Sequence, residues 1–299
     1  MRTQSAFRFA AAIALSNLAL TGVALAFEPV SVPVQYKGQQ IELTGRFDKP
    51  TGAGPFPAVI LLHGCAGYTA HLPHSSAWSA VLLGEGSATL ILDSFTPRGG
   101  STCNGVAAST RALDVVAAAL FLASRPDIRR EKIAVIGFSH DGGTALDAAV
   151  MIGQWRNGTP QGPLVSANVD SLGQAYVDEL QRQFKIAADQ LASRGRIAAY
   201  VAFYPHTCKV VQGDKFAGPV LLLIGNYDSE VSYPNCEKLA ATQPPGGPEF
   251  RFKAYAFASH SFDWDPGDYT RRHGTANGPA AADAREEVRS FLHRYLKSN

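Results

Sequence analysis

The sequence predicts an α/β fold: a mostly parallel sheet covered by helices on both faces. Two observations carry this. Five apolar runs, Ala58 to Leu62, Ala88 to Leu92, Lys132 to Ile136, Ala198 to Phe203 and Val220 to Ile224, read as buried strands. Helical segments fall between them at Ser75 to Leu83, Ala107 to Ala123 and Gly143 to Ile152, and strand–helix alternation argues for parallel pairing. No Pro/Gly/Ser linker, repeat or low-complexity tract divides the chain, so residues 27–299 are expected to form one domain.

In order along the chain, strands near Val30 to Tyr36 and Gln40 to Phe47 open the domain, and an alternating strand from Arg251 to Phe257 precedes a C-terminal helix from Ala281 to Leu296. Residues 154–195 exceed the minimal alternation. Gly and Pro punctuate Asn157 to Pro163, and a polar helical stretch runs from Leu172 to Ala192. This insertion is expected to be a small helical cap that partly covers the pocket; a solvated surface helix is the alternative.

Ile133 to Phe138 leads into Ser139-His140-Asp141-Gly142-Gly143, a strand, sharp turn and helix with Ser139 at the apex. Such a turn holds a serine hydroxyl exposed, where a neighbouring base and backbone N–H donors turn a poor nucleophile into a useful one. Asp141 stands where an elbow of this kind prefers glycine, with Gly142 and Gly143 one step late. The other parts follow separate apolar runs. His63-Gly64-Cys65-Ala66-Gly67 suits an oxyanion loop, with the Cys65 and His140 amides as donors. Asp228, in Gly225-Asn226-Tyr227-Asp228, is the expected acid, with Glu230 in reserve. His260, after the last strand, is the expected base, since histidine shuttles protons near neutrality. The order Ser139, Asp228, His260 is that of an α/β-hydrolase.

These residues resemble the dienelactone hydrolase-like branch of the α/β-hydrolases over roughly residues 40 to 297. The resemblance is carried by Leu61 to Gly67, Asp93-Ser94-Phe95-Thr96-Pro97-Arg98-Gly99, Gly137 to His140 and Gly225 to Asp228. It implies a cofactor-independent hydrolase with its triad at Ser139, Asp228 and His260. The namesake enzymes use a cysteine nucleophile where this chain has Ser139, so their substrate is not inherited. Arg98, on the family-like loop, is expected either to bind a substrate carboxylate or to hold the loop through Asp93.

Met1 to Ala26 has the layout of a secretory signal: Arg2 and Arg8, an apolar stretch to Ala24, then Ala24-Leu25-Ala26 for cleavage. The net charge of +2 resides in those two arginines, so the mature chain is neutral, and no basic run interleaved with aromatics argues for nucleic acid. The protein is expected in the periplasm or outside the cell, without stable membrane insertion after cleavage. Export makes four cysteines an invitation to pair, and Cys65–Cys103 with Cys208–Cys236 is preferred because each would join loops at the sheet's carboxyl edge. No Cys-x-x-Cys occurs, and Pro73 disfavours a ligand-bearing helix at His71-Leu72-Pro73-His74, so no metal site is expected. The sequence reading is an exported serine hydrolase of small esters, lactones or thioesters, without cofactor. A serine peptidase and a non-catalytic binding protein are its rivals, and oligomeric state stays open.

Overall fold

The computed structural model describes residues 27–104, 106–156, 174–209, 216–264 and 278–297. Residues 1–26, the expected signal, lie outside them. The chain runs β1 (Glu28–Tyr36), β2 (Gln39–Asp48), β3 (Phe56–Leu62), α1 (Gly67–Gly84), β4 (Ala88–Asp93), α2 (Ala108–Ser124), β5 (Ile128–Phe138), α3 (His140–Arg156), α4 (Gln174–Arg194), β6 (Ile197–Phe203), β7 (Val220–Gly225), α5 (Tyr233–Ala241), β8 (Phe250–Tyr255) and α6 (Gly278–Leu296). The strands form one sheet in the order β1-β2-β4-β3-β5-β6-β7-β8. β1–β2 and β2–β4 pair antiparallel, and the remaining pairs are parallel.

The direction of travel across the sheet reverses at β4. Right-handed crossovers therefore carry α1 to one face and α2 and α3 to the other. β3 and β5 are neighbours, with Leu62 opposite Gly137. Their loops leave toward opposite faces and open a crevice at the carboxyl edge, where ligands bind in such sheets. The central strands β3, β4, β6 and β7 are buried nearly end to end, as their continuous apolar runs require.

Two helices, α1 and α5, differ from expectation. α1 begins at Gly67, eight residues before the expected start, and contains Pro73. Its buried positions, His71, His74, Ser75, Trp78, Ser79 and Leu82, form a helical stripe, but histidine and serine hide it from a hydropathy reading. Packing of that stripe outweighs the missing proline N–H. α5 was not anticipated; Ser232 precedes it and Pro234 sits in its first turn. α4, within the expected cap, buries Val177, Leu180, Phe184, Ala188 and Leu191 and packs along α2. Residues 157–173 of the same segment lie outside the described residues.

Both preferred disulfides are present. Cys65–Cys103 ties the loop after β3 to the loop after β4, and Cys208–Cys236 ties the loop after β6 to α5. The second closes a loop across a sequence separation of 28. Replacing Cys208 and Cys236 together by alanine should therefore lower stability by about 3 kcal/mol, read as a reduced urea midpoint of the non-reduced protein.

Candidate active site

β5 delivers Ser139 directly beyond its last residue, and Ser139 holds φ +56°, a left-handed conformation that costs a non-glycine residue free energy. Its N–H donates to Phe203 O at 3.0 Å, anchoring the turn to β6. A Cβ on Gly137 would lie 1.8 Å from Asp141 O, and one on Gly142 would lie 2.4 Å from Phe203 O. Glycine is thus demanded at 137 and 142. At the position where such an elbow prefers glycine, the Asp141 side chain leaves the turn and is buried against Arg111 of α2, while Thr144 Oγ1 donates to it at 2.7 Å. Burial alone would raise the Asp141 pKa, but the Arg111 cation outweighs it and holds the carboxyl below its ordinary value.

His260 Nε2 lies 2.9 Å from Ser139 Oγ, and His260 Nδ1 lies 2.9 Å from Asp228 Oδ2. With its proton on Nδ1 the imidazole donates to Asp228 and accepts the serine hydroxyl. The other Asp228 oxygen accepts the N–H groups of Glu230 and Val231, each at 2.9 Å, so the carboxylate shapes its own turn. Glu230 is not at Nδ1; its Oε2 lies 3.6 Å from His260 Nε2, on the serine side of the ring. Asn226 Oδ1 accepts the Phe257 N–H at 2.8 Å and Tyr227 N–H donates to Ala258 O at 3.0 Å, locking the acid loop to the histidine loop. Phe257 and Ser261 bracket His260, each at φ +59°.

A buried network that sequence reasoning missed lies beneath His260. The Tyr204 ring packs 4.5 Å from the imidazole, and its hydroxyl donates to Asp263 Oδ1 at 2.7 Å. Asp263 Oδ2 receives Trp78 Nε1 at 3.0 Å and meets His74 Nε2 at 2.8 Å, joining the histidine loop to α1. Burial opposes the Asp263 charge, yet His74 and the Tyr204 and Trp78 donors keep its pKa below the ordinary value.

The loop after β3 lies against the turn of Ser139. A Cβ on Gly64 would sit 3.3 Å from Ser139 Cβ and 2.6 Å from His71 Nε2. Cys65 accepts the Cys103 N–H at 3.0 Å beside their disulfide, and His140 begins α3, where helix geometry leaves an N–H without an intrahelical acceptor. Arg111, also missed, spans the two: one terminal nitrogen is 3.2 Å from His140 Nδ1 and the other 3.4 Å from His63 Nε2. Neither Arg111 nor Asp263 stands in a recognisable motif; each is a charged residue buried by distant chain segments, which only the fold reveals.

Arg98 does not face a substrate. Its two terminal nitrogens grip Asp114 at 2.9 and 2.6 Å, and the pair is almost wholly buried. The loop role is correct in kind but not in partner, because Asp93 instead accepts the N–H groups of Phe95 and Thr96. A groove of about 840 Å³ lies between β1, α2 and α4 and includes no triad residue.

Residues 185–296, which contain Asp228 and His260, match the dienelactone hydrolase family. No curated protein matches the chain. The dienelactone hydrolase of Anabaena variabilis is 19% identical, with 90% of this chain and 99% of that chain covered and a TM-score of 0.56. P91, a dienelactone hydrolase-like promiscuous phosphotriesterase from metagenomic libraries, is 17% identical, with 90% and 99% covered and a TM-score of 0.60. Esterase 2 of Thermogutta terrifontis, phosphorylated by paraoxon, is 14% identical, with 90% and 94% covered and a TM-score of 0.58. At these identities the likeness is one of fold.

Two stability predictions arise from the buried charges. Arg111→Met strands the Asp141 carboxylate and should destabilise by about 3 to 5 kcal/mol, with part of the loss recovered in Arg111→Met/Asp141→Asn, as read by urea denaturation. Burial pushes His63 down to about 4 and His71 down to about 3. Both ionise nearer 6.5 when unfolded, so between those values the unfolded chain binds more protons and stability falls as pH falls. Each contributes a slope approaching about 1.4 kcal/mol per pH unit below about pH 6, and His63→Gln should flatten the loss measured between pH 6 and pH 4.

Proposed function

From its dienelactone hydrolase-family match and its α/β-hydrolase fold, we propose that this chain is a serine hydrolase that cleaves a carboxylic ester, lactone or thioester through an acyl-enzyme. The observation that carries the reading is the relay from Asp228 Oδ2 through His260 to Ser139 Oγ, with both contacts at 2.9 Å. Ser139 Oγ attacks the carbonyl carbon while His260 Nε2 takes the hydroxyl proton and Asp228 stabilises the imidazolium. The carbonyl oxygen becomes an oxyanion facing the Cys65 and His140 amides. When it collapses, the bond to the leaving alcohol or thiol breaks and His260 returns the proton to that group. Water then repeats the sequence on the acyl-enzyme and releases the acid and Ser139.

Export to the periplasm or beyond fits the signal-like residues 1–26 and the two disulfides, which persist in oxidising compartments. No described helix is long and apolar enough to cross a membrane. Asp141, where an elbow of this kind prefers glycine, directs its carboxylate to Arg111 rather than against Ser139, which favours catalysis over a non-catalytic binding role.

Intact-mass analysis after exposure to a fluorophosphonate should give one adduct on the wild type and none on Ser139→Ala or His260→Ala. An unmodified, folded wild type would refute the reading. Asp228→Asn keeps an oxygen for the Glu230 and Val231 amides but offers His260 Nδ1 a donor, favouring the wrong tautomer. Ester turnover should then fall by about 10³- to 10⁴-fold with the fold retained.

A further inference from the structure

Glu230 projects from the Asp228 turn with its side chain 57% exposed, and its Oε2 lies 3.6 Å from His260 Nε2. That nitrogen is also the partner of Ser139 Oγ, so carboxylate and nucleophile flank the same atom. Among the described residues, Arg98 on the loop after β4 and Arg111 on α2 are both paired with carboxylates. Arg98 is gripped by Asp114, and Arg111 is buried against Asp141.

Two exposed rings border the same pair of loops. Tyr227 immediately precedes Asp228, and Phe257 lies three residues before His260; they are 63% and 76% exposed, with centroids 5.5 Å apart. Phe257 is held outward at φ +59° by the Asn226 side chain. A phenylalanine kept exposed in a left-handed conformation is stabilised by no burial of its own, so its position calls for another explanation. Ring faces attract cations and apolar groups, and the Glu230 carboxylate, three residues beyond Tyr227 on the same loop, adds attraction for positive charge.

We propose that Glu230 is a specificity-determining residue that makes this site select esters with a cationic or uncharged leaving group and reject anionic ones, with Tyr227 and Phe257 supplying ring faces for that group. The inference rests on the serine hydrolase reading. The Glu230 carboxylate repels a negative leaving group, whereas a trimethylammonium group gains from both the carboxylate and the rings. The chemistry at the carbonyl is unchanged: Ser139 Oγ bonds to it and the alcohol departs with the His260 proton.

The test compares three butyrate esters of matched length on the disulfide-bonded protein: the choline ester, its uncharged 3,3-dimethylbutyl isostere, and one of a carboxylate-terminated alcohol. Values of kcat/KM should rank cationic, neutral, anionic at low ionic strength and converge as salt is added. Glu230→Gln should shrink the cation-to-anion ratio by about three- to tenfold, and Glu230→Lys should bring the anionic ester above the cationic one. A ratio in Glu230→Gln within about twofold of wild type would overturn the assignment. Fluorophosphonate labelling of Ser139 in the same samples separates the two failures. Normal labelling with an unchanged ratio removes only the role of Glu230, whereas a wild type that neither labels nor turns over any ester removes the serine hydrolase reading and the selectivity with it.

Discussion

The buried ion pair between Arg111 and Asp141 holds the reacting edge of the sheet together. Asp141 belongs to the first turn after Ser139, Arg111 to the first turn of α2, and the same guanidinium reaches His63 at the root of the loop after β3 and His140 beside the nucleophile. Removing two charges from water is costly, and attraction repays that cost only with close geometry and further hydrogen bonds. Here Thr144 supplies one more donor to the carboxylate, and Phe95 lies 4.3 Å beneath the guanidinium. The pair registers the loop after β3 against the turn that carries Ser139, as the proposed pairing of the Cys65 and His140 amides requires.

The opposite wall of the site is held differently. The segment after β8 carries His260 between two residues in left-handed conformation, Phe257 and Ser261. Such backbone persists only where its surroundings over-determine it. They do: Asn226 and Tyr227 bind the loop from the β7 side, and Asp263 binds it from below through Tyr204, Trp78 and His74. Carboxylates thus serve three purposes around His260. Asp228 orients the imidazole, Asp263 anchors its loop, and Glu230 faces the open side.

The sheet's topology explains why these two walls meet. The chain reverses its direction of travel after β4, so the loops after β3 and β5 depart toward opposite faces and leave a crevice between adjacent strand ends. Gly64 fits there because a Cβ would collide with His71 and crowd Ser139. The Cys65–Cys103 bridge fastens the outer side of the same loop.

The strands, the order of Ser139, Asp228 and His260, the turn at 137–143 and both disulfide pairings were legible in the sequence, because they depend on local patterns: apolar runs, glycine beside a nucleophile and paired cysteines. The start of α1 was not, because its buried stripe is built of histidine and serine, which solvate well until a neighbouring surface covers them. Nor was the partner of Arg98, which turned out to be Asp114, sixteen residues away on another element. Arg111 and Asp263 likewise look like ordinary surface charges in the linear chain. Local chemistry alone therefore determined the class of fold and the candidate reacting residues. Tertiary structure decided which charges were buried, paired or left facing the site, since a charge's partner is set by proximity in space and by the loss of water around it.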